Sequence, residues 1–135
     1  MVTRLDVGTR GREELVDVTA MVSAALTETG IQSGVITLFV PHTTAAITIN
    51  ENADPDVVAD MLRGLHELIP QHNALFRHAE GNSDAHIKAS LVGSALQVLV
   101  EGGKLLLGTW QGIYFCEFDG PRSRKLWVKI AADTD

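Results

Sequence analysis

The sequence has one cysteine, no stretch of eighteen consecutive apolar residues and no surplus of positive charge. Each absence removes a class of protein. Cys116 has no second cysteine to pair with and sits inside an apolar run, so it reads as a buried free thiol in a reducing, cytoplasmic interior. Without a long apolar run there is no helical membrane span. The opening Met-Val-Thr-Arg-Leu-Asp-Val alternates apolar and polar residues instead of forming a signal core. Eleven Lys and Arg against seventeen Asp and Glu leave a net charge of −6, which argues against broad contact with a nucleic acid backbone. Internal repeats, low-complexity tracts and linkers are missing too. So are a Walker loop, a dinucleotide fingerprint and a Gly-x-Ser-x-Gly elbow.

What is present fits one domain over residues 1–135, with 45% hydrophobic and 21% charged residues and enough length to bury its own core. Residues 3–7 alternate as a half-buried strand, and Gly8 to Glu14 is a polar loop before the short apolar segment Leu15 to Val18. Thr19 is placed to cap a helix over 20–29, which Gly30 stops. Val35 to Val40 is apolar enough for a central strand, and Pro41 ends it. Ala45 to Asn50 is the next strand, with His42 at the junction of the two. Asp54-Pro55 starts a helix that runs to Leu68, with an apolar stripe facing a core and His66 on the solvated side.

A loop over 71–84 follows, and long irregular loops in small domains are often functional. Ser83 or Asp84 is placed to cap a short helix to Val92 that carries His86 and Lys88 near its start. Ala95 to Val100 and Leu105 to Leu107 flank a Glu-Gly-Gly-Lys hairpin turn. Ile113 to Phe118 and Lys125 to Ile130 are the last strands, joined through Asp119-Gly120-Pro121. About seven strands and three helices in mixed order predict an α+β domain, not a βαβ succession.

Three histidines stand out by context: His42 at a strand junction, His78 in the long loop and His86 at a helix start. Converging, they would make an open tetrahedral site of the kind catalytic zinc uses. Their spacing is not diagnostic, and polar histidines satisfied within their own loops are the commoner case. Glu51 and Glu80 are the nearest candidates for a general base or for a group that orients an imidazole. The Gly81-Asn82-Ser83 turn points backbone N–H groups at the helix start, which suits an anion. Thr43, Thr44, Asn50 and Asn52 are polar strand-end groups suited to binding a substrate or to capping their own turns. Arg122, Arg124 and Lys125 form a cluster that could grip phosphate, or be a solvated turn. Trp110 and Gln111 either pack beside a ligand or, for the Trp, in the core.

Taken together, His42-Thr43-Thr44-Ala45-Ala46, Asn50-Glu51-Asn52, Asp54-Pro55, His78 with Glu80-Gly81, His86-Ile87-Lys88 and Gly108-Thr109-Trp110-Gln111-Gly112-Ile113 resemble the YjbQ-like family. Its members are often labelled secondary thiamine-phosphate synthases. The resemblance covers nearly the whole chain. It implies a compact α+β fold with a barrel-like, mostly antiparallel sheet, a homotrimer, and a histidine cluster matched by His42, His78 and His86 near a metal or anion. The activity it implies joins a hydroxymethylpyrimidine diphosphate to a thiazole phosphate, releasing pyrophosphate. Phe76 stands at a position that carries Tyr in some other members, and Leu99 where a Pro is common.

The expected function is therefore a small-molecule enzyme of phosphate or pyrophosphate chemistry acting on a phosphorylated metabolite. In it His42, His78 and His86 hold a divalent metal, zinc first among the choices. Thr43, Asn50, Gly81, Asn82, Lys88, Arg122 and Arg124 bind substrate and phosphate, and Glu51 and His86 act on protons. The rivals are a metal-dependent hydrolase and a trimeric binding protein without turnover. No nucleic acid or membrane partner is expected.

Overall fold

The computed structural model describes residues 1–134. Eight strands and three helices follow in the order β1 (Thr3–Gly8), β2 (Glu14–Asp17), α1 (Thr19–Thr29), β3 (Ser33–Phe39), β4 (Ala45–Glu51), α2 (Pro55–Leu68), α3 (Ser83–Val92), β5 (Ala95–Glu101), β6 (Lys104–Leu105), β7 (Gln111–Glu117) and β8 (Ser123–Ala132). They form a five-stranded sheet, β1-β8-β3-β5-β6, and a three-stranded sheet, β2-β7-β4. Every pairing is antiparallel, and the larger sheet curls into a half-barrel. This is the expected α+β class. The central position of β3 follows from its alternation, with Gly34, Ile36 and Leu38 buried between half-exposed neighbours.

The main core lies between the two sheets, where α1 buries Val22 and Leu26 against Ile36, Leu38, Phe115 and Leu126. Burying a side chain of that size contributes roughly 1.5–3 kcal/mol. A smaller cluster seats α3 on the other sheet. Ala85 and Ala89, one turn apart, meet Ala46, Cys116 and Phe118, and alanines let the helix lie close to the strands.

Several local expectations need correction. The strand β2 is an eighth one, hidden in the sequence because only four residues pair with β7. Thr19 lies inside α1 and is not its cap; its hydroxyl donates to Asp17 and accepts from the Ile113 N–H. Neither Ser83 nor Asp84 caps α3, which begins after Asn82, because the Asp84 carboxylate is turned inward to Arg12 and Lys88. The α2 stripe covers no true core: no residue of that helix is buried, and Leu68 stays 79% exposed. The strand expected over 105–107 is the two-residue β6. Trp110 is 63% exposed, so it belongs to the surface.

Candidate functional site

His42 is held where β3 hands over to β4. The Lys125 backbone N–H donates to its Nε2 at 2.9 Å. A peptide N–H can only donate, so Nε2 carries no proton and the neutral ring keeps its hydrogen on Nδ1. Burial, and then the positive charge of Arg124, lowers the His42 pKa below its ordinary value, which keeps the ring neutral.

Behind His42 lies a fully enclosed ion pair. Arg124 Nε donates to Glu117 Oε1 at 2.8 Å, and Arg124 Nη2 reaches the other carboxylate oxygen and the Thr44 hydroxyl. Glu117 also accepts from the Thr9 hydroxyl at 2.7 Å and the Asp119 N–H at 3.0 Å. Burial alone would raise the Glu117 pKa, but the Arg124 fork and these two donors outweigh it and the net shift is downward. The Arg124 side chain is thus committed to Glu117 and Thr44. Sequence reasoning missed Glu117, though the period of two that points Arg124 inward with Leu126 and Val128 was a usable signal.

A second enclosed cluster fixes α3. The Lys88 ammonium is completely buried between Asp84 at 2.8 Å and Glu13 at 3.1 Å, and Arg12 makes a two-pronged contact with Asp84. Asp84 and Lys88, one turn apart, face inward, so His86 between them is turned to the outside. Lys88 is therefore spent on this cluster within the chain. Asn82 is buried too; its Nδ2 donates to Asp119 at 2.7 Å, while its Oδ1 has no hydrogen-bond partner among the described residues. An unmet buried acceptor costs about 1–3 kcal/mol, so a polar demand remains at this end of the helix. Arg122, by contrast, keeps an exposed side chain and donates to Asp119.

The three histidines are strung along a row of four surface depressions. The first, about 350 Å³, has walls from Gln71, Gly81 and Ser83 and shares His78 with the second, about 520 Å³. The second shares His86 with the third, about 430 Å³, which also meets Thr43, Ser90 and Ser94. The third shares His42 with the fourth, about 550 Å³, where Arg122 and Arg124 stand. His78 and His86 meet edge to face with ring centroids 5.6 Å apart, and Glu80 lies 3.7 Å from His78 Nε2. Ser90 and Ser94 had no signal in the sequence beyond their place beside α3.

Glu51 and Asn50 are elsewhere. They end β4, whereas His42 and Thr43 precede its start; the six steps from Ala45 to Glu51 span roughly 20 Å of strand. Glu51 accepts from the Asp54 N–H, and its neighbours are Asn52, Asp17 and Trp110. The chain thus gathers His78, His86, His42, Thr43, Gly81 and Arg122 along one groove and leaves Asn50 and Glu51 outside it.

The residues fit a three-histidine metal ion poorly within a single chain. Both His42 nitrogens are committed, Nε2 as an acceptor and Nδ1 as the proton carrier. Among the described residues no three His, Cys, Asp or Glu side chains gather around one point. His86 and His78 alone stand as neighbours.

Comparison with known proteins gives a consistent lineage. The model of the family described as UPF0047 protein YjbQ-like matches residues 3–133. The UPF0047 protein YugU of Bacillus subtilis is 56% identical over 130 residues, covering 96% of this chain and 98% of that one. A UPF0047 protein of Methanocaldococcus jannaschii is 53% identical, covering 98% and 96%. The crystal structure of an uncharacterised UPF0047 protein from Clostridium acetobutylicum superposes with a TM-score of 0.93 at 53% identity, over 96% of this chain and 99% of that one. A relative from Sulfolobus solfataricus, described as of unknown function, gives 0.93 at 34% identity over 98% and 97%.

Proposed function

The chain belongs to the UPF0047 protein YjbQ-like family, and from that premise we propose that it is a small-molecule enzyme of phosphate and pyrophosphate chemistry. The reaction we assign joins a hydroxymethylpyrimidine diphosphate to a thiazole phosphate, giving thiamine phosphate and pyrophosphate. The observation that carries the reading is the row of depressions in which each shares a histidine with the next. An elongated groove with cationic and hydrogen-bonding groups at intervals suits two phosphorylated halves lying end to end.

In this reading the exposed Arg122 guanidinium and the His42 Nδ1–H receive oxygens of the departing pyrophosphate, where negative charge builds up as the bond breaks. Thr43 and the turn at Gly81 and Asn82 take the second phosphate. His86, half-exposed between two depressions, moves the proton. No step here runs through a metal ion; elemental analysis of tag-free protein decides whether the assembled protein holds zinc or another divalent ion beside His78 and His86. The working form is the homotrimer the resemblance implies, which the exposure of Trp110, Leu75 and Leu91 supports.

The test is product analysis with both halves supplied in the presence of a divalent metal. Thiamine phosphate and pyrophosphate in equal amounts, lost in His86→Ala and His42→Ala, support the synthase. Release of phosphate from one substrate alone replaces it with the hydrolase. Tight binding without any product leaves a binding protein.

A further inference from the structure

The turn between β7 and β8 places one carboxylate where three parts of the groove meet. Asp119 Oδ2 accepts from Asn82 Nδ2 at 2.7 Å and from Arg122 Nη2 at 2.9 Å, and the Asp119 carbonyl accepts from Arg122 Nε at 2.8 Å. The Asp119 backbone N–H donates to Glu117 Oε2 at 3.0 Å. Glu117 is fully buried and Asn82 nearly so, which fixes the groups that hold Asp119, while the Arg122 side chain stands exposed at the fourth depression. A guanidinium is a rigid plane of N–H donors. Asp119 takes the edge formed by Nε and Nη2. Among the described residues Nη1 makes no hydrogen bond, so Nη1 and the outer N–H of Nη2 form a second, free edge in the same plane.

We propose that Asp119 is the positioning residue of the anion site: it locks one edge of the Arg122 guanidinium and leaves the other to grip two oxygens of a single phosphoryl group. This rests on the reading of Arg122 as the group that receives pyrophosphate, and it adds what aims that group. A surface arginine without such partners samples many rotamers, and an incoming anion has to order it first. With Asp119 in place, that ordering is done as the chain folds. Asn82 pins the same carboxylate oxygen from the other side. It also immediately precedes α3, so the aim of Arg122 is tied to the helix whose start is read as taking the second phosphate. Two effects of the carboxylate oppose each other. Its negative charge repels a bound anion, and its hold on Arg122 favours one. Salt screens the repulsion at an exposed position but leaves the orientation of a two-pronged contact unchanged, so positioning wins at physiological ionic strength.

Titration calorimetry with inorganic pyrophosphate, in about 0.15 M salt, tests this without any assay of turnover. Arg122→Gln is expected to weaken binding by about tenfold or more, the loss of a charge-assisted contact. Asp119→Ala is expected to weaken it by about tenfold, even though it removes a negative charge from the site. Asp119→Asn keeps the size and one acceptor oxygen and should lose less. The double variant Asp119→Ala with Arg122→Gln should bind no more weakly than Arg122→Gln alone, because Asp119 acts through Arg122. A carboxylate that merely ties the turn together predicts otherwise. Unchanged or tighter binding in Asp119→Ala, or a further loss in the double variant, overturns the proposal. Where circular dichroism shows Asp119→Ala unfolded, Asp119→Asn decides: weaker binding supports the positioning role and unchanged or tighter binding overturns it. If Arg122→Gln binds as the wild type does, or the wild type does not bind pyrophosphate, the reading of Arg122 falls and this proposal falls with it. Weakening in Arg122→Gln without weakening in Asp119→Ala removes the positioning role alone.

Discussion

The two ends of β4 treat charge in opposite ways. At the Ala45 end Arg124, Glu117, Lys88 and Asp84 are enclosed and each faces a partner of opposite charge, whereas at the Glu51 end Asp17, Asp54 and Asp56 are exposed. Enclosed ion pairs add little net stability over apolar residues, because desolvation offsets their attraction. What they enforce is geometry: Arg124 stands behind His42, and Lys88 and Asp84 fix the rotation of α3 that turns His86 outward. The exposed carboxylates shape only their own turns, Asp17 accepting from the Thr19 hydroxyl and Asp54 from the Asp56 N–H, and stay open to solvent. The difference separates residues whose burial fixes the geometry around the histidine groove from residues left open to solvent at the far end of the strand.

The comparison breaks most directly at Arg124. Arg124→Met leaves the Glu117 carboxylate buried without its partner, at an expected cost of about 3–5 kcal/mol in the denaturant midpoint. Pairing it with Glu117→Gln is expected to recover more than 1 kcal/mol of that in a double-mutant cycle. A loss under about 1 kcal/mol for the single change would mean that water reaches the carboxylate and the enclosure is not real. Lys88→Met should cost somewhat less, about 3 kcal/mol, because Arg12 still neutralises Asp84. Its readout is thermal unfolding beside the ring-proton shifts of His86, which should move if α3 rotates.

Acid acts on the same enclosed groups. Asp84 and Glu117 titrate below their ordinary values of 3.8 and 4.5 in the folded chain, after burial and the opposing pull of their cationic partners are set against each other. A carboxylate with a depressed folded pKa lends stability that is present above the unfolded value and lost as pH falls through the folded one. His42 is also depressed, from 6.5, so its share is present above that value and fades as pH falls through the lowered one. Stability measured by urea should therefore fall in two stages, a shallow one starting near 6.5 and a steeper one below about 4.5. His42→Gln should remove only the first stage, and Glu117→Gln should flatten the second.

Much of the fold was readable before any coordinates, and the residues explain why. Gly30, Asp54-Pro55 and the Gly102-Gly103 turn act through backbone chemistry that depends on a few neighbours, and each lies where expected: Gly30 with φ 69°, Asp54 accepting from the Asp56 N–H, and the two turn glycines with φ 59° and 73°. The inward turn of Asp84 and Lys88 was not readable, because an (i, i+4) pair of charges looks the same on a wet face as on one buried against Arg12 and Glu13. Four-residue β2 lacked the length to show a period. For the site, His42, His78 and His86 were identified as residues, but their order along a groove depends on the crossing of α3 over β4, which no local pattern encodes. The distance between Glu51 and the histidines was hidden for the opposite reason. Residues close in sequence at the start of β4 are carried apart by the strand itself.

The smallest effect on stability belongs to Glu51, and it sharpens the comparison most. Glu51→Gln changes a partly exposed side chain whose one hydrogen bond among the described residues comes from the Asp54 N–H, so its unfolding free energy should move by no more than about 0.5 kcal/mol. If Glu51 acts with His86 of a neighbouring copy in the homotrimer, thiamine phosphate formation should nevertheless drop in Glu51→Gln, as it should in His86→Ala under the proposed function. Mixing the two defective proteins in equal amounts, with subunits allowed to exchange, then separates the arrangements. In a head-to-tail ring each site takes Glu51 from one copy and His86 from the next, so a random mixture restores both wild-type groups at about a quarter of the sites. If both residues served a site within one chain, no chain in the mixture would carry the pair and activity would stay at the level of the separate variants. Recovery therefore requires that the open end of one β4 and the enclosed end of another belong to the same chemistry.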